Sequence, residues 1–280
     1  MLRLLFAVLF LFNLEIHAKQ TCGSETRRGQ AYTWCITQGQ SKDFLYYMHG
    51  GGGSEKSWDP RGYAGFLNER WAKMKFNRPT VIVVSFGTTW LLSDMQTKQH
   101  PSLLNLFVEE IMPSLEAKVP GKHGLRLLMG NSMGGYNGAE LALRYPKLWS
   151  RVALLCPGVY VTNPFQTDEE IEAYLAKQPP TTQRDYVRGV VGWVREEFET
   201  QENWDRHDPM HLAEIAADAK ATYHLSCTKD DQYGFYDGAK RFAEVMALKT
   251  KASFVSMEKG GHCALDEAAE DALAKFLAGR

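Results

Sequence analysis

The sequence lacks several features that would assign it to particular classes of protein. Its 280 residues carry a net charge of -1 and hold no long basic or acidic block, which argues against nucleic acid or an anionic membrane as a partner. No two cysteines have CxxC spacing and no cysteine-histidine cluster has zinc-ligand spacing, so no metal site is expected. Repeats and low-complexity tracts are also missing. The expected ligand is therefore a small molecule or a neutral polymer, with no cofactor.

The N-terminal segment has the pattern of a secretory signal peptide. Arg3 gives a positive start, Leu4 to Leu14 is almost wholly apolar, and Ile16-His17-Ala18 ends in a small residue suited to cleavage. A membrane-spanning helix needs about 20 apolar residues, so a retained anchor is the weaker alternative. We expect residues 1–18 to be removed, which leaves a secreted or periplasmic protein without a membrane partner.

Export would place the cysteines in an oxidising compartment, where disulfides persist. The chain holds five cysteines, and the odd number leaves at least one that has no partner within the chain. A local bridge between Cys22 and Cys35 is plausible. A bridge between Cys227 and Cys263 would tie together two loops that carry candidate catalytic residues.

Short apolar runs alternate with longer segments of helical periodicity. The strand-like runs are Phe44 to Met48, Thr80 to Ser85, Leu125 to Met129, Val152 to Leu155, Thr222 to Ser226 and Ser253 to Met257. The helix-like segments are Tyr63 to Lys75, Ser102 to Lys118, Met133 to Arg144, Tyr236 to Lys249 and Leu265 to Leu277. The alternation predicts an α/β fold in which helices cover both faces of a mostly parallel central sheet. With 44% hydrophobic residues, residues 19–280 are expected to form a single domain.

Residues 157–215 interrupt this alternation, because prolines separate helical pieces and no strand is evident. We expect a helical insertion over the sheet, after the strand Val152 to Leu155 that follows the helix Met133 to Arg144. Its aromatic residues either line a substrate cleft or pack the insertion's own core. They are Tyr160, Phe165, Tyr174, Tyr186, Trp193, Phe198 and Trp204.

A GxSxG pentapeptide, Gly130-Asn131-Ser132-Met133-Gly134, lies where a predicted strand meets a predicted helix. Glycines two positions either side of a serine allow a sharp turn that exposes the serine hydroxyl. A glycine-rich turn without catalytic function is the plainer explanation of the motif taken alone. The strand and helix around it favour Ser132 as a nucleophile.

A serine nucleophile needs a histidine base, and the histidine needs an orienting acid. Two later loops supply both, each directly after a predicted strand and separated by one helix and one strand. The first loop ends in Asp230 and Asp231, of which Asp231 is the preferred acid and Asp230 the competitor. The second loop ends in Gly260-Gly261-His262, which makes His262 the candidate base rather than a solvated surface residue.

Acyl transfer also needs backbone N–H groups that stabilise the oxyanion. The run His49 to Gly53 contains four glycines directly after the first predicted strand. Met133 is expected to supply one donor and Gly51 the other, with Gly50 as a close alternative. A flexible linker is not expected after a buried strand, and His49 is expected to be structural.

These four motifs resemble those of the α/β-hydrolase superfamily, and of the esterase group that includes esterase D and bacterial feruloyl and acetyl xylan esterases. The resemblance extends from about Phe44 to the C-terminus. It implies an α/β-hydrolase fold and a serine esterase with a Ser-His-Asp triad. Asn131 stands where relatives of esterase D often have histidine, so their thioester substrate is not expected here.

The sequence thus predicts an exported serine esterase that forms an acyl-enzyme on Ser132. Its substrate would be a small-molecule or polysaccharide-linked ester. An acyltransferase or a serine peptidase on the same fold is the first alternative. A catalytically inactive binding protein is the second, since a fold does not fix a function.

Overall fold

The computed structural model describes residues 19–95, 102–217 and 219–280. The predicted signal peptide, residues 1–18, lies outside the described residues. Within the described part of the chain, no helix combines the length and the apolar character needed to cross a membrane.

A single eight-stranded sheet forms the centre of the fold, with the strand order β1-β2-β4-β3-β5-β6-β7-β8. The strands are β1 Gln20–Arg27, β2 Gln30–Thr37, β3 Phe44–Met48, β4 Thr80–Ser85, β5 Arg126–Asn131, β6 Arg151–Leu155, β7 Thr222–Thr228 and β8 Ala252–Met257. The six neighbouring strands β4-β3-β5-β6-β7-β8 pair in parallel. β1 pairs with β2, and β2 with β4, in the antiparallel direction. The prediction of an α/β fold with a mostly parallel sheet is confirmed.

Helices follow the strands in the expected order. They are α1 Tyr63–Lys73, α2 Leu103–Leu106, α3 Met112–Glu116, α4 Met133–Arg144, α5 Asp168–Lys177, α6 Arg184–Phe198, α7 Gln201–Asp205, α8 Pro209–Ile215, α9 Tyr236–Ala247 and α10 Glu267–Ala278. A π-helical turn, Phe107–Ile111, joins α2 to α3. The predicted helix from Ser102 to Lys118 is therefore one helical segment with a widened turn at its centre.

Alternating side chains of the strands enter two hydrophobic cores, one on each face of the sheet. Leu45 and Tyr47 of β3 pack with α1 and α10, whereas Phe44, Tyr46 and Met48 of the same strand pack with the helices on the opposite face. This alternation is the period of two expected for strands buried on both sides. Helices accordingly cover both faces, as predicted.

The antiparallel hairpin of β1 and β2 is the part of the sheet that the sequence pattern missed. β1 is mostly exposed and polar, so it has no apolar run that would indicate a buried strand. Its register places Cys22 opposite Cys35, and a disulfide joins the two. The predicted local bridge is therefore present, and it fastens the outer strand of the sheet.

The insertion, residues 157–215, contains α5 to α8 and lies between β6 and β7. A buried ionic cluster joins it to α4, the helix that follows Ser132. Glu140 Oε1 lies 2.6 Å from His207 Nδ1, and both side chains are fully buried. Arg144 pairs with the same Glu140 oxygen at 3.0 Å, and the Tyr136 hydroxyl donates to the His207 carbonyl at 2.7 Å. These contacts fix the insertion over the end of the sheet at which Ser132 lies.

Two helix-interior glycines provide a test of how tightly the insertion packs. A Cβ at Gly238 in α9 would overlap the carbonyl oxygen of Val159, whereas a Cβ at Gly192 in α6 would meet no atom within 4 Å. We expect Gly238→Ala to lower the free energy of unfolding by about 1–3 kcal/mol. Gly192→Ala should raise it by about 0.4–1 kcal/mol, because alanine favours the helix. Urea denaturation of both variants measures the difference; an unchanged midpoint for Gly238→Ala would contradict the packing.

Candidate active site

Ser132 lies in a sharp turn between β5 and α4. Its backbone has φ 54° and ψ -121°, a region that residues with a side chain rarely adopt. A Cβ at Gly130 would overlap the Gly134 carbonyl, and a Cβ at Gly134 would overlap the Met48 carbonyl. Both glycines of the motif are therefore required, because the chain passes through this turn without room for a side chain. The turn predicted from GxSxG is present.

Ser132 opens onto a cavity of about 410 Å³ beneath the insertion. Met133 and Gly51 line it beside Ser132, so three of the five predicted site residues share one cavity. On the other side, one face of α6 closes the cavity with residues at helical spacing: Tyr186, Gly189, Val190, Trp193 and Val194.

Asp231 and His262 form a direct pair. Asp231 Oδ2 lies 2.7 Å from His262 Nδ1, and Asp231 Oδ1 accepts a hydrogen bond from the Tyr233 backbone N–H at 2.8 Å. The Asp231 side chain is buried, with a residue exposure of 1%. A buried carboxylate needs such partners. Because Asp231 binds the imidazole at Nδ1, Nε2 is the nitrogen that can accept a proton.

Asp230 has a different set of partners from its neighbour. Its two carboxylate oxygens accept hydrogen bonds from the backbone N–H groups of Gly261, at 2.9 Å, and Gly260, at 3.2 Å. These bonds, that of Gly261 first, lower the pKa of Asp230, because they stabilise the ionised form. Asp230 therefore holds the turn before His262, and among the described residues it makes no hydrogen bond to the imidazole.

Two further groups hold His262. Gln232 Oε1 accepts a hydrogen bond from the His262 backbone N–H at 2.8 Å. The Tyr233 ring meets the imidazole edge-on, with 4.4 Å between ring centroids. Sequence reasoning missed both residues, although each lies directly after the two aspartates. A loop that carries the acid is well placed to position the base as well.

Ser132 and His262 are not joined by a hydrogen bond in the part of the chain that the structure describes. His262 Nε2 lies 3.5 Å from the disulfide sulfur of Cys263. Hydrogen bonds between catalytic groups are often long or misaligned until substrate binds. The structure therefore brings the candidate acid and the candidate base together and places Ser132 at the same end of the sheet.

The glycine loop after β3 lies against the turn at Ser132. The Gly52 N–H donates to the Thr88 carbonyl at 2.8 Å, and the Gly53 N–H donates to the Gly50 carbonyl at 3.0 Å. Gly51 has no such bond among the described residues and lines the cavity. Gly50 instead packs against the turn, where its missing Cβ would lie 3.3 Å from that of Ser132.

His49 supports this loop from behind, as expected of a structural residue. Its side chain is fully buried, with Nδ1 2.8 Å from the Gly50 carbonyl and Nε2 2.9 Å from Ser85 Oγ. Burial lowers the pKa of His49, which favours a neutral imidazole. A neutral ring can donate from Nδ1 to Gly50 and so fix the start of the glycine loop.

The prediction of a bridge between Cys227 and Cys263 is wrong. Cys263 forms its disulfide with Cys156, which directly follows β6. Because β7 extends through Thr228, Cys227 is a buried strand residue and not a loop residue as the sequence suggested. Cys156, His262 and Cys263 place three possible metal-ligand atoms within 4.8 Å, but the two sulfurs are bonded to each other.

The aromatic residues of the insertion divide into two groups. Four line the cavity: Tyr160, Tyr186, Trp193 and Trp204. Three do not line it and belong to the packing of the insertion: Phe165, Tyr174 and Phe198. Both roles considered from the sequence are therefore present, and Tyr186 also stacks on Tyr233 with 4.1 Å between ring centroids.

A family model described as "Putative esterase" matches residues 27–266. The chain belongs to this esterase family. The match spans the glycine loop, the turn at Ser132 and the loops of Asp231 and His262.

Similar proteins agree with this family. An endo-1,4-beta-xylanase/feruloyl esterase of Xylanibacter ruminicola is 24% identical over 132 residues, which is 46% of this chain but 18% of that protein. A solved ferulic acid esterase shares 16% identity with a TM-score of 0.65, covering 94% of this chain and 98% of that one. An S-formylglutathione hydrolase from Agrobacterium tumefaciens has 13% identity and the same TM-score, covering 96% of this chain and 97% of its own. The solved structures establish the α/β-hydrolase fold.

The adjacent aspartates give a matched pair of variants. Asp231→Asn keeps the shape of the side chain but removes the charge that the imidazole contacts, so kcat should fall by roughly 10³-fold to 10⁴-fold. Asp230→Asn removes a charge from the neighbouring turn and should change kcat by less than about tenfold, since Asp230 does not contact the imidazole. Steady-state kinetics on one aryl ester compare the two. Equal losses, or a larger loss for Asp230→Asn, would contradict the pairing.

Proposed function

We propose that the protein is an exported serine esterase that uses Ser132, His262 and Asp231 as a triad and passes through an acyl-enzyme. The observation that carries the proposal is the Asp231–His262 pair, with 2.7 Å between Oδ2 and Nδ1, at the same end of the sheet as the exposed turn of Ser132. A serine hydroxyl becomes a nucleophile only when a base takes its proton. This pair supplies an oriented base.

In the proposed reaction, His262 Nε2 takes the proton of Ser132 as Oγ attacks the ester carbonyl. Asp231 stabilises the imidazolium that forms, and the same proton then passes to the departing alcohol oxygen. Water attacks the resulting acyl-enzyme with His262 again as base, the bond between the acyl carbon and Ser132 Oγ breaks, and His262 returns the proton to Oγ as the acid leaves. Each proton that leaves an oxygen is thus returned to an oxygen.

The backbone N–H groups of Gly51 and Met133 are proposed to hold the oxyanion. Both residues line the cavity beside Ser132. Met133 begins α4, so the positive end of that helix dipole faces the developing negative charge. One such donor is worth about 3–4 kcal/mol of transition-state stabilisation.

Export is supported by the signal-like N-terminus and by two disulfides, Cys22–Cys35 and Cys156–Cys263. Bridges of this kind persist in oxidising compartments and are rare in the cytosol. We therefore propose a secreted or periplasmic location. The proposed partner is a small-molecule or polysaccharide-linked ester, with no nucleic acid and no membrane.

Replacing Ser132 tests the chemistry directly. Ser132→Ala should reduce ester hydrolysis by at least about 10⁴-fold, because it removes the hydroxyl proposed to form the acyl-enzyme. Release of the alcohol and of the acid is followed for the native chain and the variant, with circular dichroism as the control for folding. Activity retained by folded Ser132→Ala would exclude the triad. Transfer of the acyl group to an alcohol in preference to water would instead identify an acyltransferase.

For the acyl group, we propose an aromatic acid. The cavity beside Ser132 is lined largely by apolar and aromatic side chains, and aromatic rings favour stacking on such surfaces. The names of two similar proteins, a ferulic acid esterase and a xylanase/feruloyl esterase, agree with such a substrate. Gly189 adds space on the opposite wall, since a Cβ there would meet no atom within 4 Å.

Two glycines of α6 test this acyl site. Gly189 lines the cavity, whereas Gly192 lies outside it on the same helix. Gly189→Leu should lower kcat/KM for a feruloyl ester by roughly 10-fold to 200-fold while acetyl ester hydrolysis changes little, because the added side chain fills the space of a large acyl group. Gly192→Leu, with the same gain in helix propensity, should change neither. Equal losses on both esters for Gly189→Leu would contradict an acyl site at this wall.

A further inference from the structure

The order of the strands sets a positioning problem for His262. Ser132 follows β5, whereas His262 follows β8, and β6 and β7 lie between those two strands. Neighbouring strands are about 4.8 Å apart, so the ends of β5 and β8 are separated by about 14 Å. The loop after β8, at the outer edge of the sheet, must therefore reach back across two strands to bring the base towards the serine.

Residues that directly follow β7 contact the loop after β8 on its way towards Ser132. Asp231 and Gln232 follow β7 and bind the His262 side chain and backbone, respectively. Asp231 binds the imidazole at Nδ1 and the Tyr233 ring meets its edge, and both residues belong to the loop after β7. An attachment from β6, the strand next to β5, would restrain the direction in which Nε2 points from the side nearer to Ser132.

The disulfide between Cys156 and Cys263 supplies such an attachment from β6. Cys263 directly follows His262, and Cys156 directly follows Leu155, whose backbone pairs with Asn131 in β5. Cys263 Sγ lies 3.7 Å from the Leu155 carbonyl oxygen and 3.9 Å from Asn131 Nδ2. The bridge thus ends beside the residue that precedes the nucleophile.

We propose that the Cys156–Cys263 disulfide is a positioning element for catalysis, a covalent tether that directs His262 Nε2 towards Ser132. The proposal rests on the triad proposed above. Opening the tether leaves Asp231 and Gln232 in contact with His262, so the base stays near its place but loses its alignment. A small misalignment of a catalytic group slows the chemical step more than it weakens substrate binding.

The other disulfide provides a matched control, since Cys22–Cys35 joins β1 to β2 at the far edge of the sheet. The double variant Cys156→Ser/Cys263→Ser should lose between about tenfold and a hundredfold in kcat, with KM changed less than about threefold. Cys22→Ser/Cys35→Ser should keep both constants. Both variants lose the stabilisation of a disulfide, so the kinetics are measured where circular dichroism shows each to be fully folded.

A chemical rescue separates tethering from stability in the unaltered chain. Cys263 lines a surface cavity, where a small water-soluble phosphine can reach it. The phosphine takes an oxygen from water, and the disulfide gains two electrons and two protons to give two thiols. Diiodomethane then joins the two thiolates as S–CH₂–S with loss of two iodides, whereas iodomethane methylates each sulfur and leaves them unlinked. We expect the methylene-linked protein to recover kcat and the methylated protein not to.

Three results would overturn the proposal. The first is an unchanged kcat in the folded Cys156→Ser/Cys263→Ser variant. The second is equal activity of the methylene-linked and methylated proteins. The third is a non-reduced peptide map that pairs Cys263 with Cys227. If the native protein hydrolyses no ester at all, the proposed function fails instead, and the two failures are thereby distinguished.

Discussion

The backbone turn at Ser132 is the constraint on which the rest of the site depends. The positive φ of Ser132 exposes the hydroxyl, and it is possible only because β5 enters and α4 leaves through space that a Cβ at Gly130 or Gly134 would fill. The close approach of α4 also brings Gly50 into contact with the turn. The glycine loop, the turn and α4 therefore pack as one unit. This packing fixes the positions of the N–H groups of Gly51 and Met133.

A second constraint comes from the parallel register of the central strands. Register pairs Met48 with Gly130, Asn131 with Leu155, and Leu155 with Ser226, so the loops that follow these strands leave the sheet at one level. Each loop needs only a few residues to reach its neighbour. The loop after β8 is the exception, because it starts at the edge of the sheet, and its additional contacts are with Asp231, Gln232 and Cys156.

The insertion adds what the sheet alone does not provide, which is a wall opposite the nucleophile. Its attachment to α4 is polar and buried, through the hydrogen bond between Glu140 and His207. Its cavity side is aromatic, through residues such as Tyr186 and Trp193. A polar anchor on one side thus holds the insertion in place, and an apolar surface on the other side forms the wall proposed to bind the acyl group.

Much of this arrangement could be predicted from the sequence because strand ends carry short, local signals. The apolar runs before His49 and Ser132 predicted the strands β3 and β5. The order of motifs along the chain predicted that His262 lies near Asp231, and the structure shows this contact. Features that depend on contacts distant in sequence could not be predicted. The polar strand β1 is held by pairing and not by its own hydrophobicity, and the partner of Cys263 depends on which strand lies between β5 and β7. The sequence likewise does not show that Asp231 contacts His262 while the adjacent Asp230 binds the Gly261 N–H, because this depends on the geometry of the loop.

The central claim is that Ser132 is the nucleophile activated by this site. The most direct measurement is to react the native protein with a fluorophosphonate, which loses fluoride as the activated oxygen bonds to phosphorus, and to locate the adduct by mass spectrometry of the digested chain. The account predicts one adduct per chain, on the peptide that contains Ser132, and loss of ester hydrolysis in proportion to labelling. An adduct on another residue that accompanies the loss of activity, or full hydrolysis by a chain that takes no label, would contradict it.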